Sequence, residues 1–331
     1  MHLSLDEPSV GIRSIGAYTP PDVVTNEQIA RPAATTAEWI AERTGIFQRR
    51  YAARSQSTSA MAEPAARDAL EQATGRVGAL IVATSTPDQI MPPTATALQR
   101  RLGLSPVPAF DINAACGGFL YGMALCCGLV RCLPDATTVL LVGADQYSKY
   151  LDSSDRRTAA IFGDGAGAVI LGPVPPGYGV RAVSLAAFGD YHDAVGILGC
   201  GTREVVTADV ATTGRAKMRM NGREVRELFL REVPEATRKT VEAAGWRLDE
   251  VDRFVFHQGN VRLLHDIAGV LGIDPGKVGV TADRFGNTGC GSMPLTLYQM
   301  NRANPLRSGE KILFAGAGGG MTAGALAATW W

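Results

Sequence analysis

Short unbroken apolar runs alternate along this chain with stretches whose apolar residues recur every three or four positions. A run of about five apolar residues reads as a strand buried on both faces, and the longer spacing reads as a helix packed by one stripe. In the amino-terminal half a strand at 79–83 leads through proline-rich turns to a helix-like segment at 94–102. A short strand at 107–111 then feeds a turn of small residues and an apolar helix at 116–130, and a buried strand follows at 138–143. In the carboxy-terminal half a strand at 252–256 leads to a helix at 261–271. A strand at 278–282 feeds a helix from about 288 to 303, and a last strand covers 311–315. A helix precedes each series: Met61, Ala65 and Leu70 mark the first, and Val225, Phe229, Val233, Ala236 and Val241 the second, all at helical spacing.

The two series keep step, since both flanking strands recur after 173 positions, 79 to 252 and 138 to 311. Buried strands alternating with helices imply parallel sheets covered on both sides. The expectation is a duplicated α/β core, residues 1–172 and 173–331, with helices between two sheets. The cluster Gly172-Pro173-Val174-Pro175-Pro176-Gly177 marks the break between them.

Composition narrows the class of function. The chain has 331 residues, 46% hydrophobic and 19% charged, enough for a substantial buried core. Its 32 basic residues balance 32 acidic ones and no Lys/Arg run exceeds two, so neither nucleic acid nor a membrane surface is an expected partner. The first ten residues include Asp6, Glu7 and Pro8 and lack the apolar core of a secretory signal; the apolar stretch at 117–130 is too short for a ~30 Å hydrocarbon layer. A cytoplasmic protein is expected. The six cysteines show no CxxC spacing and no histidine at zinc-finger distance, so no metal is expected; Cys126, Cys127 and Cys132 read as small hydrophobes of the apolar helix.

Four places carry candidate chemistry. In Asp111-Ile112-Asn113-Ala114-Ala115-Cys116-Gly117-Gly118-Phe119 a cysteine meets the start of a helix, where the dipole favours thiolate and small neighbours admit a carbonyl. A packed structural cysteine has similar neighbours. Of the four histidines, His2 is near the terminus, His192 follows Gly189-Asp190-Tyr191 in a loop, and His265 fits a solvated helix position. His257 stands at the carboxyl end of a buried strand, where open α/β sheets place ligands, although a structural histidine fits there too. Asn287 occupies, in the second half, the strand-to-helix turn that Cys116 occupies in the first; a plain helix cap is the other reading. The run Gly318-Gly319-Gly320 ends the last strand and offers backbone N–H groups to an oxyanion. It lacks the Lys-Ser/Thr of a phosphate loop.

These residues together resemble β-ketoacyl-acyl-carrier-protein synthase III and its relatives in the thiolase superfamily, over nearly the full chain. The matching pieces are Glu38-Trp39-Ile40, Arg43-Thr44-Gly45-Ile46, the block at Cys116, Asp155-Arg156, Phe162-Gly163-Asp164-Gly165-Ala166-Gly167, Met220-Asn221-Gly222-Arg223-Glu224-Val225, His257-Gln258-Gly259-Asn260, Gly286-Asn287-Thr288 and the Gly318–Gly320 run. The resemblance implies a thiolase-like, five-layered αβαβα fold, a homodimer and a Cys116–His257–Asn287 triad. It implies that Cys116 takes an acyl group from acyl-CoA, a substrate in an enzyme without cofactor, and passes it to the carbanion of a decarboxylating malonyl thioester, usually on acyl carrier protein, in fatty-acid initiation or polyketide assembly. Cys116 and Gly319 N–H groups would hold the oxyanion. Trp39, Arg43 and Arg156 would meet the adenosine and phosphates of CoA, Asn260 the pantetheine, and Arg262 the carrier protein. Met91, Phe162 and Ala317 would shape the acyl pocket, Met91 from across the dimer interface. Ala317, where an aromatic residue is common, implies a roomier site, and Glu227 and Gly269-Val270 stand where docking lysines are common. A relative that moves the acyl group to an alcohol or amine is the alternative; His257 with Asn287 favours condensation.

Overall fold

The computed structural model describes residues 9–134, 137–205 and 207–331; the segment 1–8, with His2 and most of the stretch read as lacking a secretory signal, lies outside the described residues. Two sheets form the frame. The first contains β1 (Ser9–Tyr18), β2 (Arg76–Ala83), β3 (Ala109–Ile112), β4 (Thr137–Gln146) and β5 (Asp164–Val174), in the order β1-β5-β4-β2-β3. The second contains β6 (Gly179–Ala187), β7 (Arg253–Phe256), β8 (Lys311–Gly318) and β9 (Thr322–Thr329), in the order β6-β9-β8-β7. Directions correspond as well. β2 is parallel to β3 and β4, whereas β5 is antiparallel to β4 and β1; β7 is parallel to β8, whereas β9 is antiparallel to β8 and β6.

One expected strand is missing from this correspondence. The segment 278–282 makes a single bridge, Phe254 to Val278, and continues into a short helix, Ala282–Phe285. The reason lies in Gln258, whose buried Oε1 accepts from the N–H groups of Thr281 (2.9 Å) and Ala282 (3.1 Å), so these donors turn away from a ladder. The expected break is also displaced. β5 runs through Gly172 and Pro173 to Val174, and the chain turns at 175–178, where Tyr178 N–H reaches Pro175 C=O at 3.2 Å. Pro173 costs β5 no bond to β4, because their pairing stops at Leu171.

Seven helices matter here: α1 (Ala37–Thr44), α2 (Thr58–Glu71), α3 (Thr94–Leu102), α4 (Gly118–Cys132), α5 (Gly222–Ala243), α6 (Val261–Leu271) and α7 (Ser292–Ala303). α2 and α3 cover the outer face of the first sheet, α4 and α7 lie between the sheets, and α5 and α6 cover the outer face of the second. The fold is thus the five-layered αβαβα arrangement. Strand alternation explains it: on β4, Val139 and Leu141 point to the central core while Leu140 and Val142 point outward, and on β8 Ile312 and Phe314 oppose Leu313 and Ala315. The central layer packs Phe119 of α4 against Phe314 of β8, ring centroids 6.3 Å apart. Full burial of each such side chain contributes about 1.5–3 kcal/mol. α4, the most apolar helix, is buried there through Phe119, Leu120, Met123 and Cys126.

Candidate active site

The carboxyl ends of β3, β7 and β8 and the turn before α7 lead to one cleft of about 840 Å³, including its open mouth. Cys116, Phe162, His257, Asn287, Ala317 and Gly319 all line it. Four corners from two halves therefore meet at one place.

At the first corner the chain bends through Ala115 at φ 46°, a left-handed conformation costly for a residue with a Cβ. Three contacts hold the bend: Asn113 Oδ1 accepts from Ala115 N–H (3.0 Å), Cys290 Sγ donates to Ala115 C=O (2.9 Å), and Thr322 Oγ1 donates to Ala114 C=O (2.9 Å). A Cβ on Gly318 would stand 2.7 Å from Cys116 N, so the end of β8 reaches the bend only as glycine. Cys116 is 9% exposed, with its sulfur 3.7 Å from Tyr147 Oη.

The expected thiolate is not the resting form. Burial pushes the Cys116 thiol up to about 12, the Asp145 carboxylate adds to the rise, and the Tyr147 contact opposes it. The helix dipole is outweighed because the sulfur is enclosed and an acidic group from β4 lies behind it. Cys116 is a thiol until a base takes its proton.

His257 and Asn287 are each held from behind. His257 Nδ1 lies 2.8 Å from Ser292 Oγ, and burial holds the imidazole down at about 4, so it is neutral at pH 7. Asn287 Oδ1 accepts from Gly289 N–H at 2.9 Å, which turns its amide NH₂ to the cleft. Asn287 N–H also bonds Ile161 C=O at 2.9 Å, bringing Phe162 to the same wall. Both side chains present neutral polar groups at a buried surface, the arrangement that stabilises a developing negative charge.

The other expected residues divide. Arg43 and Arg262, both exposed, stand at the cleft mouth with Asn260, whose Oδ1 also caps α6 through Leu263 N–H (2.9 Å). Trp39 and Arg156 do not line the cleft; they stack on each other, guanidinium 5.0 Å from the ring. Met91 does not reach it either, being 81% exposed beside Ile90 at 85%. Within one chain it therefore shapes no acyl wall, because its loop points outward. His192 and His265 lie outside the cleft lining.

Two functional positions escaped the sequence reading. Tyr147 packs on Phe162 with ring centroids 4.8 Å apart and brings its hydroxyl to 3.7 Å from the Cys116 sulfur. Ser292 anchors the imidazole. Tyr147 follows directly on the carboxyl end of β4, so the strand-end rule that singled out His257 applied to it equally.

Residues 110–189 match the family model described as 3-oxoacyl-[acyl-carrier-protein (ACP)] synthase III, and residues 241–330 match its C-terminal model. The chain is 38% identical over 313 residues to an acetoacetyl CoA synthase of Streptomyces sp. (strain CL190), covering 93% of this chain and 94% of that protein. It is 38% identical over 323 residues to a β-ketoacyl-[acyl-carrier-protein] synthase III of Geobacillus kaustophilus, covering 97% and 98%. The crystal structure of the corresponding synthase III of Thermus thermophilus superposes with a TM-score of 0.89 at 38% identity, over 97% of this chain and 99% of that one.

Proposed function

The chain belongs to the 3-oxoacyl-[acyl-carrier-protein] synthase III family, enzymes of thiolase-like fold that condense an acyl-CoA with a malonyl thioester, and we propose how its own residues divide that work. Cys116 attacks the acyl-CoA carbonyl; the C–S bond to CoA breaks, and the thiol proton leaves with the CoA sulfur. His257 carries that proton, since a neutral imidazole is a base and the thiol does not ionise unaided at pH 7. N–H groups of Cys116 and Gly319 hold the oxyanion.

In the second half-reaction the malonyl C–C bond breaks, carbon dioxide leaves, and the electron pair moves into an enolate. Asn287 Nδ2–H and His257 Nε2–H donate to its oxygen. The enolate carbon then attacks acyl-Cys116, releasing the 3-oxoacyl thioester and the cysteine sulfur, which regains a proton. Ser292 suits both halves: its hydroxyl can accept from or donate to Nδ1, so Nε2 can serve as acceptor first and donor later. The observation that carries this reading is the convergence of Cys116, His257 and Asn287 on one cleft, with both donors anchored at 2.8 and 2.9 Å.

Arg43, Arg262 and the Trp39–Arg156 stack are read as the CoA-facing rim. On the neighbouring helix Arg223, Arg226 and Arg231 pair with Glu227, Asp266 and Glu232 at 2.7–2.8 Å, so an acidic carrier protein would meet Arg43 and Arg262, which have no ion-pair partner among the described residues. A cytoplasmic homodimer is the setting we infer. Ile90 and Met91 form an exposed apolar corner, tied through Thr94 N–H to Asp111 of β3, which ends its sheet, and a second copy would cover both.

The test is intact-protein mass spectrometry with acetyl-CoA, followed by carbon dioxide release from malonyl-CoA. Cys116→Ala should lose the adduct, while His257→Gln and Asn287→Ala should lose carbon dioxide release. Adduct formation without any carbon dioxide release by the unaltered enzyme would instead assign transfer to an alcohol or amine.

A further inference from the structure

Asp145, at the carboxyl side of β4, is wholly buried and takes no part in the steps above. Its Oδ1 accepts from Ser85 N–H (2.7 Å) and from the hydroxyls of Thr84 (3.1 Å) and Thr86 (3.2 Å); its Oδ2 accepts from Cys290 N–H (2.7 Å). The hydroxyl protons are committed to it. Thr84 Oγ1 already accepts from Thr86 N–H (3.0 Å), and Thr86 Oγ1 from Gln146 N–H (2.8 Å). Four donors around two oxygens need an acceptor on both sides, which a carboxylate supplies and an amide does not. Burial pushes the group up to about 6, still ionised at neutral pH.

The turn gripped by Oδ2 is the link between the two donors of the site. Gly289 N–H holds Asn287 at one end of the turn, and Ser292 holds His257 at the other. The seat is tight: a Cβ on Gly289, at φ 58°, would lie 2.1 Å from Asp145 Oδ2, and one on Gly143 would lie 2.2 Å from Cys290 O. The Oδ1 side serves the other half-reaction, since Ser85 Oγ accepts from Tyr147 Oη (3.2 Å), which touches the Cys116 sulfur.

We propose that Asp145 is a positioning residue for the decarboxylating half-reaction: by holding Cys290 N–H it sets the turn whose Gly289 N–H aims Asn287, a group the acylation step does not use, at the malonyl thioester. The inference rests on the functional reading above. Asp145→Asn separates the two sides. Its one carbonyl oxygen goes to the side with three donors, and its NH₂ then faces Cys290 N–H, donor against donor.

The expected result is Cys116 acylation by acetyl-CoA within about threefold of the unaltered enzyme, with kcat for carbon dioxide release from malonyl-CoA down roughly tenfold or more and KM little changed. Thr86→Val, which removes one Oδ1 donor and leaves the grip on Cys290, should keep both half-reactions within about threefold. If Asp145→Asn does not fold, Gly289→Ala, which drives a methyl against the carboxylate, should give the same split. A merely structural role would lower both half-reactions in proportion to the folded fraction, and that outcome, or an unchanged carbon dioxide release, overturns the inference. Absence of carbon dioxide release from the unaltered enzyme would overturn the functional reading first and this inference with it.

Discussion

His257 and Asp145 titrate in opposite senses, so their effects on stability can be separated by pH. Burial lowers His257 from 6.5 to about 4 and raises Asp145 from 3.8 to about 6. As pH falls from 7 to 5, a histidine in the unfolded chain takes a proton that folded His257 refuses, and the folded state loses stability. Folded Asp145 takes a proton that the unfolded carboxyl refuses, and the folded state gains. Worked through the linkage relation, the loss is about 2 kcal/mol and the gain about 1 kcal/mol. His257→Gln should therefore gain about 2 kcal/mol on the unaltered protein between pH 7 and pH 5, and Asp145→Asn should lose about 1 kcal/mol. Urea unfolding followed by tryptophan fluorescence, at one fixed protomer concentration, measures both. A difference between His257→Gln and the unaltered protein that stays constant within ~0.5 kcal/mol from pH 7 to 5 would refute the desolvated, neutral imidazole. The donor role assigned to it would then lose its basis.

Two further substitutions probe the walls around the sulfur. Tyr147→Phe removes a contact that opposes the rise of the Cys116 thiol, so alkylation by iodoacetamide at pH 8 should slow about threefold or more; an equal rate removes that role from the phenol. Ala317→Phe should narrow the cleft and lower kcat/KM for hexanoyl-CoA at least tenfold more than for acetyl-CoA, since each buried CH₂ is worth ~0.8 kcal/mol. An unchanged ratio places Ala317 off the acyl wall.

Much of the site was legible because each of its main residues follows a rule of position. Cys116 stands at a strand-to-helix corner and His257 directly after a buried strand, while Asn287 keeps the matching place in the second half although the strand expected before it does not form. What was not legible depends on contacts distant in sequence. The protonated state of Cys116 follows from burial and from a carboxylate on another strand, neither of which local sequence reveals. The apolar pattern at 278–282 suits a strand, but a glutamine twenty-odd residues earlier takes its N–H groups.

The strand order has a consequence for how the protein is made. Among the described residues, β1 precedes the other strands of its sheet, yet its one neighbour there is β5, and β6 likewise adjoins β9 alone. At ~5–20 residues per second, β1 waits roughly 10–30 s for its partner, an unpaired apolar edge all the while. The nascent chain has no complete cleft until the residues of β8 and the glycines after it emerge, so a truncated product holds Cys116 without the groups that would govern it.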